Sequence, residues 1–303
     1  MSIKITKNIS EANAITHGGI FHADEVFASV ILSKVIDNLT ISRVFEVTDD
    51  MNDKIIYDIG GGKFDHHQLG GNGEREDSTP YSSCGLIWKE YGKKLLEKRN
   101  YTNIDELWQI IDKDLIEYID ACDNGKNPVI DTDYNFIHLA KLISDFNAKW
   151  NEKIDNDSNF IQAVSFADTI FENRLKAIVS KLEAKSLIEE GVENSKDGIM
   201  YLDNFAPWKE FLLTSKNPKA ENILFVIFPS NRGGYNICTV PKELGSFENR
   251  KDLPSNWAGL KDEEFKNITK VEGATFCHNA CFIAGATTKE DAYKLATLAI
   301  NYK

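Results

Sequence analysis

The stretch Asn13-Ala-Ile-Thr-His-Gly-Gly-Ile-Phe-His-Ala-Asp24 joins a short apolar segment, through a glycine turn, to the start of a helix. Phe27, Val30 and Ile31 continue an apolar stripe at helical spacing, which predicts a helix from Asp24 to Ile36. Residues 42–48 and 54–57 resemble strands, and residues 82–94 resemble another helix. Strand, helix and strand in succession predict a parallel sheet with crossover helices.

The remainder of the chain has helical patterns before a linker near residues 194–198 and mostly strand patterns after it. Residues 105–122 and 157–190 carry helical patterns, the second long enough for one or two helices. Residues 222–228 and 235–240 predict a β-hairpin, residues 276–284 a strand and residues 289–300 a final helix. We therefore predict an α/β fold: a domain over 1–190 with a mostly parallel sheet flanked by helices, and a smaller α+β domain over 191–303.

The composition limits the possible classes of function. The 303 residues carry a net charge of −12, which argues against a protein that coats nucleic acid through a basic face. The chain has no apolar run long enough to cross a membrane and no secretory signal. Its five cysteines are scattered, as is usual for reduced thiols. We predict a cytoplasmic protein that does not bind membranes, and leave an organellar or nuclear form open.

Polar residues that could bind a metal gather near the N-terminus, each at the end of a predicted strand. They are His17, His22 and Asp24, then Asp58, then Asp65-His66-His67. Sites in open parallel sheets form at the carboxyl ends of strands, and imidazole with carboxylate suits zinc, manganese or iron. Paired metals activate water and bind phosphoryl groups, so the pattern predicts a metal-dependent hydrolase. His138, by contrast, is predicted to be an ordinary core or surface histidine.

Several motifs together resemble a known family. They are Thr16-His-Gly-Gly-Ile-Phe-His-Ala-Asp-Glu25, Asp58-Ile-Gly-Gly, Phe64-Asp-His-His-Gln68 and Ile119-Asp-Ala-Cys-Asp-Asn-Gly125, with Pro207-Trp-Lys209, Ser246-Phe-Glu-Asn-Arg250, Leu253-Pro-x-x-Trp-Ala-Gly-Leu260 and Phe276-Cys-His-Asn-Ala-Cys-Phe-Ile283 in the second half. These motifs resemble the MYG1 exonuclease family, formerly an uncharacterised group of "metal-dependent protein hydrolases". The family falls within the DHH phosphoesterase superfamily. The resemblance covers nearly the whole chain and implies a DHH-type catalytic domain.

The resemblance also implies a site with two divalent metal ions, most often Mn²⁺, with Mg²⁺ or Zn²⁺ as alternatives. The metal ligands that it implies are His17, His22, Asp24, Asp58, His66 and Asp120. Asp58 would bridge the two ions, and Asp123 is the alternative to Asp120. As catalytic residues, Asp65 would orient the histidines and His67 would contact the scissile phosphate.

In the second half, the resemblance makes His278 a substrate contact. Arg232 and Arg250 are candidates to bind a phosphate or a carboxylate. The family pattern His-Ala-Ser-Gly-Phe-Ile-Gly-Gly is replaced by His278-Asn-Ala-Cys-Phe-Ile-Ala-Gly285, so the loop after His278 departs from the family.

The hypothesis is a divalent-metal-dependent phosphodiester hydrolase that uses a water activated by two metals. The family resemblance implies that it acts as a 3′-to-5′ RNA exonuclease. The alternative is a hydrolase of short oligonucleotides or of another small phosphorylated molecule at the same site. A metal-binding regulator without catalysis is a third hypothesis, although no ligand is missing. Peptide hydrolysis has no support, because the chain has no His-Glu-x-x-His helix. The oligomeric state is left open, with a homodimer as one option.

Overall fold

A computed structural model describes residues 3–126, 129 and 133–302 of the chain. The chain divides into two compact units, Met1–Ile178 and Val179–Lys303. The division falls inside one continuous helix, Asn156–Glu193. The domain boundary that we placed at residue 190 lies in this same helix and stays a prediction. Within the described residues, no helix combines the length and the apolar character needed to cross a membrane.

The first unit is built on a four-stranded sheet in which all neighbouring strands run parallel, in the order β1-β3-β2-β4. Its strands are β1 (Ile3–Ile5), β2 (Ala14–His17), β3 (Leu39–Val44) and β4 (Ile55–Ile56). Its helices are α1 (Ala23–Val35), α2 (Ser83–Lys98), α3 (Ile104–Ile111), α4 (Glu117–Asp123), α5 (Leu139–Ser144) and the first part of α6 (Asn156–Glu193). The predicted parallel sheet flanked by helices is confirmed.

The core of this unit includes most of the apolar side chains of α1, β2 and β3. The side chains of Phe27, Val30 and Ile31 are fully buried, as the apolar stripe predicts, and α1 also packs against α2. Each such side chain stabilises the fold by about 1.5–3 kcal/mol through removal of apolar surface from water. Strand β2 ends at His17, because Gly19 takes a φ of 86° and turns the chain toward α1.

The second unit contains a five-stranded sheet in the order β5-β6-β7-β9-β8. Its strands are β5 (Ile199–Tyr201), β6 (Phe225–Pro229), β7 (Tyr235–Thr239), β8 (Ala274–Cys277) and β9 (Ile283–Ala286). Its helices are α7 (Trp208–Leu213), α8 (Asp262–Thr269) and α9 (Lys289–Asn301). Strands β6 and β7 pair antiparallel, so the predicted hairpin is confirmed. Alternate residues of β6 enter different cores, Phe225 with Leu295 of α9 and Val226 with Trp208 of α7.

The predicted strand over residues 276–284 is wrong, because the chain reverses within it. β8 and β9 pair antiparallel, and the residues between them form a turn closed by two backbone hydrogen bonds, Cys281 N to His278 O and His278 N to Ile283 O, both 2.9 Å. Cys281 adopts a φ of 51°, a conformation that glycine favours, at the position where the family pattern has glycine. The turn contains neither glycine nor proline, and Asn279 is its one local signal.

Candidate metal centre

Two neighbouring parallel strands carry the first ligand candidates to one edge of the sheet. His17 is the last residue of β2, and Asp58 follows the end of β4, which pairs with β2. Asp58 adopts a φ of 58°, which aspartate and asparagine tolerate better than most residues. Its side chain is almost fully buried. The two residues therefore meet at the carboxyl edge, the usual location of a site in such a sheet.

The first turn of α1 adds two buried carboxylates, Asp24 and Glu25. Glu25 Oε2 accepts a hydrogen bond from the backbone N–H of His22 at 2.9 Å. The other Glu25 oxygen, Oε1, lies 2.8 Å from His17 Nε2. The preceding loop is held by the buried Arg43, whose Nη2 donates to Gly19 O at 2.9 Å. Acidic groups are favoured here by the positive end of the helix dipole.

The Asp65-His66-His67 motif contributes two histidines with different environments. His66 is mostly buried, and its Nε2 lies 3.1 Å from Asp123 Oδ2 and 3.4 Å from Asp58 Oδ1. His67 is 61% exposed, and its Nδ1 lies 2.7 Å from Asp65 Oδ1. The second oxygen of Asp65 accepts from Gly61 N at 2.6 Å. Asp65 thus orients His67 rather than His66.

Asp58 lies between the two buried histidines. Its Oδ2 is 3.1 Å from His17 Nε2, while its Oδ1 is 3.4 Å from His66 Nε2. Ligand atoms within 4.8 Å of one another form four overlapping groups: His17, His22 and Glu25; Asp58, His66 and His67; His22, Asp24 and Asp123; and Asp24, Glu25 and Asp58. Asp58 belongs to two of these groups, and its two oxygens face different histidines, as a carboxylate that joins two ligand groups would require.

Several buried polar atoms of this cluster have no hydrogen bond within the described residues. They are both carboxylate oxygens of Asp24, Glu25 Oε1, Asp58 Oδ1 and His66 Nε2. These atoms approach one another closely but without hydrogen-bond geometry. Because a buried polar atom without a partner costs roughly 1–3 kcal/mol, such a concentration needs compensation. Divalent cations would satisfy these donor atoms, so the residues fit a metal centre.

The electrostatics of the cluster indicate the same requirement for positive charge. Burial lowers the pKa of His17, but its pairing with Asp58 and Glu25 outweighs burial and raises the pKa to about 10. Burial also lowers the pKa of His66, but the neighbouring Asp123 and Asp58 outweigh burial and raise this pKa to about 10. Burial and the neighbouring charge of Asp58 raise the pKa of Asp24 well above its usual range. Each of these shifts reflects buried negative charge that a bound cation would neutralise.

The fourth motif places Asp123 in this cluster and gives Asp120 other partners. Asp120 is fully buried and accepts from Ser82 Oγ at 2.6 Å, from Gly85 N at 2.8 Å and from Arg75 Nη1 at 2.6 Å. It thereby satisfies a free N–H group in the first turn of α2. A Cβ at Gly85 would lie 1.9 Å from Asp120 Oδ2, so this approach requires glycine. The environment of Asp120 is that of a structural carboxylate.

We expect Asp120→Ala to affect mainly the stability of the protein and Asp123→Ala to affect mainly its metal binding. The first leaves a buried Arg75 with Asp112 alone and should destabilise the protein by about 3–5 kcal/mol, while preserving the metal ligands. The second should weaken Mn²⁺ binding by 10-fold or more, on the order of the loss of one charged contact, with little loss of stability. Urea unfolding and Mn²⁺ calorimetry would measure both quantities. Loss of Mn²⁺ binding in a folded Asp120→Ala protein would contradict this assignment.

Two neighbours of the centre were not among the predicted site residues. Glu25 adjoins the predicted ligand Asp24, and its buried carboxylate could have been inferred from its position in the first turn of α1. His138 is the residue before α5 and lines a cavity with His22, His66 and His67. No local signal identifies it, because its position depends on the tertiary fold.

The three substrate-contact candidates of the second half lie in the second unit. His278 is exposed in the β8–β9 turn, and its Nδ1 accepts from Ala280 N at 3.1 Å. Arg232 is exposed in the β6–β7 turn and lines a cavity of about 440 Å³. Arg250 donates from Nη1 to the carbonyl oxygens of residues 220, 221 and 223, which gives it a role within the fold.

The structure explains why only one glycine of the family's terminal pair is retained in the loop after His278. A Cβ at Gly285 would lie 2.5 Å from the ring of Phe276, so this glycine cannot be replaced without rearrangement. Ala284, at the position of the other family glycine, places its methyl group in the buried core of the second unit. The glycine that the strand pairing requires is therefore the one that is retained.

Comparison with known proteins covers almost the full chain. The family model MYG1_exonuc, described as "Uncharacterised protein family (UPF0160)", matches residues 13–300. A MYG1 protein of Saccharomyces cerevisiae is 32% identical, with 98% of each chain covered, and one of Dictyostelium discoideum is 31% identical, with 97% of this chain and 98% of the relative covered. The MYG1 exonuclease of Homo sapiens is 29% identical, with 93% of this chain and 84% of the relative covered. No solved structure matches. The chain belongs to the MYG1 exonuclease family.

Proposed function

We propose that this protein is a divalent-metal-dependent phosphodiester hydrolase, a 3′-to-5′ RNA exonuclease with two metal ions at the centre described above. The observation that carries the proposal is the group of buried donor atoms without hydrogen bonds around Asp58. Relatives in mouse, rat, human and cattle are named MYG1 exonuclease, which supports a nucleic acid substrate. Placement in the DHH phosphoesterase superfamily and a cytoplasmic location stay predictions.

The residues that would hold the metals are His17, His22, Asp24, Glu25, Asp58, His66 and Asp123. This set adds Glu25 to the ligands inferred from the sequence and takes Asp123 in place of Asp120, because of their positions. When bound, divalent cations supply Lewis-acid activation of water and neutralise charge on phosphoryl oxygens. Mixed imidazole and carboxylate ligands suit Mn²⁺, with Mg²⁺ or Zn²⁺ as alternatives. Asp58 would bridge the two ions.

His67 would act on the substrate itself. Its Nδ1 donates to Asp65, which fixes the ring and leaves Nε2 available for the substrate. When Nε2 carries a proton, it can donate to a phosphoryl oxygen or to the leaving oxygen. The 61% exposure of the His67 side chain and its place in the lining of the cavity suit such a contact.

In the second unit, we propose His278 and Arg232 as substrate contacts, because both side chains are exposed in turns. Arg250 is left out of the proposal, since its Nη1 is engaged by backbone carbonyls. A second candidate function is hydrolysis of short oligonucleotides or other small phosphorylated molecules. The cavity of about 490 Å³ beside the centre and the net charge of −12 favour a short substrate.

The test is a panel of substrates assayed with Mn²⁺, Mg²⁺ and Zn²⁺: RNA labelled at the 5′ or the 3′ end, single-stranded DNA, a dinucleotide and pyrophosphate. We expect Mn²⁺-dependent release of nucleotides from the 3′ end of RNA. A rate on the dinucleotide far above that on long RNA would favour the second candidate. Absence of phosphodiester cleavage with every metal would contradict the proposal.

Metal binding should depend on pH, because protons hold the ligand atoms of the metal-free protein. The pKa values of His17 and His66 are both raised to about 10, so each must lose a proton when a metal binds. Affinity should therefore rise as pH increases from 6 to 9, by up to about tenfold per pH unit for each proton released. Calorimetry of Mn²⁺ binding in buffers of different ionisation enthalpy counts these protons. Binding without proton release at pH 7 would contradict the prediction.

A further inference from the structure

A cavity of about 490 Å³ opens beside the candidate metal centre, entirely within the first unit. His22, His66, His67 and Asp123 of the centre line it. So do His138, Lys141 and Ser144, which we call the α5 wall. The wall lies outside the seven candidate ligands and the Asp65–His67 pair, so its chemistry is available for another purpose.

The α5 wall is attached to the loop that carries His22. Asn147, at the end of this segment, is mostly buried. Its Oδ1 accepts from Phe21 N at 3.0 Å, and its Nδ2 donates to Phe21 O at 2.8 Å. The same Nδ2 donates to Ser144 O at 3.1 Å. Because Phe21 directly precedes His22, these bonds hold the wall at a fixed place beside the centre.

His138 contributes an imidazole ring to this wall. The hydroxyl oxygen of Tyr118 accepts from Ala140 N at 3.2 Å and lies 3.0 Å from His138 Nδ1. Because the Tyr118 hydroxyl occupies Nδ1, Nε2 is the ring nitrogen left for a ligand. A proton on Nε2 would allow the ring to donate to an anionic oxygen.

Lys141 supplies positive charge to the same wall. Its ammonium group pairs with Asp145 one turn along α5, and its side chain is 57% exposed. Exposed pairs of this kind contribute only about 0.3–0.5 kcal/mol, and an ammonium has three donors, so Lys141 can contact another anion at little cost. The four carboxylates of the centre, Asp24, Glu25, Asp58 and Asp123, would balance the charge of two divalent ions. A further phosphate then needs a cation from the protein.

We propose that the α5 wall is a binding subsite for a second phosphate, adjacent to the phosphate that the centre cleaves. The substrate class is then a phosphodiester with another phosphate group one nucleotide away, as in an oligonucleotide. Lys141 and His138 Nε2–H bind that phosphate, and Asn147 positions them. The subsite deepens the proposed function and rests on it.

The test uses the full chain loaded with Mn²⁺ and two binding probes, thymidine 3′,5′-bisphosphate and thymidine 5′-monophosphate. Lys141→Met should weaken calorimetric binding of the bisphosphate by about 10- to 100-fold, the worth of one charge-assisted hydrogen bond, and change monophosphate binding less than about twofold. Lys141→Arg should retain the preference. Lys153→Met, an exposed lysine outside the cavity lining, is the matched control and should behave as wild type. His138→Ala should reduce the preference in the same direction.

Kinetics separate this inference from the proposed function. In Lys141→Met, kcat/KM should fall for the 5′-phosphorylated dinucleotide pTpT and stay constant for bis(p-nitrophenyl) phosphate, which has one phosphate. If the wild type bound the bisphosphate through Lys141 but cleaved neither compound, the proposed hydrolase function would be refuted. The phosphate-binding subsite at the α5 wall would then still stand. Equal binding of both probes by the wild type, or equal losses for both in Lys141→Met, would overturn the subsite alone.

Discussion

Asp58→Asn is expected to lower Mn²⁺-dependent kcat/KM by on the order of 10³-fold or more, the scale seen when one member of a catalytic unit is removed. The carboxylate has one oxygen near His17 and the other near His66, so its loss affects both proposed metal positions. Asparagine is almost the same size and tolerates the φ of 58° at this position, so the backbone should not change. Activity on the preferred RNA substrate across a range of Mn²⁺ concentrations measures the effect.

A matched control exists for this substitution. Asp197 also has a positive φ, 51°, and its side chain is exposed in a turn of the second unit. Asp197→Asn therefore repeats the chemical change and the backbone conformation without touching the centre, and should retain wild-type activity. If Asp58→Asn kept full activity at limiting Mn²⁺, the assignment of Asp58 would be wrong.

Asp24→Asn is expected to stabilise the metal-free protein while it removes metal binding. Burial and the charge of Asp58 raise the pKa of Asp24, so the folded protein binds this proton more tightly than the unfolded chain does. The ionised carboxylate therefore lowers stability at every pH above its unfolded pKa of about 3.9. Asparagine removes that penalty. Each kcal/mol gained at pH 7 should raise the Tm in EDTA by about 2–4 °C.

The control for this effect is another aspartate in the first turn of a helix. Asp105 is the second residue of α3, and its side chain is 81% exposed and pairs with the exposed Lys93. Asp105→Asn removes a similar interaction with a helix dipole, together with the exposed pair with Lys93, but no buried charge. It should lower stability by less than about 1 kcal/mol. Thermal unfolding with EDTA and with Mn²⁺ separates the two effects of Asp24→Asn. A lower Tm than wild type in EDTA would contradict the charge-repulsion account.

The predictable part of the site consists of residues whose position follows from local pattern. His17 and Asp58 stand at the ends of strands, and parallel pairing brings strand ends together. The choice between Asp120 and Asp123 could not be made this way. The two lie three residues apart on one helix, and their difference depends on Arg75 and Gly85, which only the tertiary fold brings to Asp120.

In the fold, too, local sequence pattern predicts some elements, while others depend on tertiary contacts. The apolar stripe of α1 identifies the helix, but residues 23–32 are all buried, so the stripe does not show that the side with Asp24 and Glu25 is enclosed as well. The reversal between β8 and β9 could not be predicted, because Cys281 occupies a left-handed conformation without being glycine. His138 similarly reaches the cavity through its hydrogen bond to Tyr118, which is distant in sequence.

The number of metal ions that each chain binds tests the central claim most directly. Calorimetric titration of the metal-free full chain with Mn²⁺, checked by elemental analysis after dialysis, gives this number together with the affinity. We expect two ions per wild-type chain, a reduced number for Asp58→Asn and two for Asp197→Asn. Absence of Mn²⁺, Mg²⁺ and Zn²⁺ binding to the wild type, or the same stoichiometry and affinity in Asp58→Asn, would contradict a metal centre at Asp58.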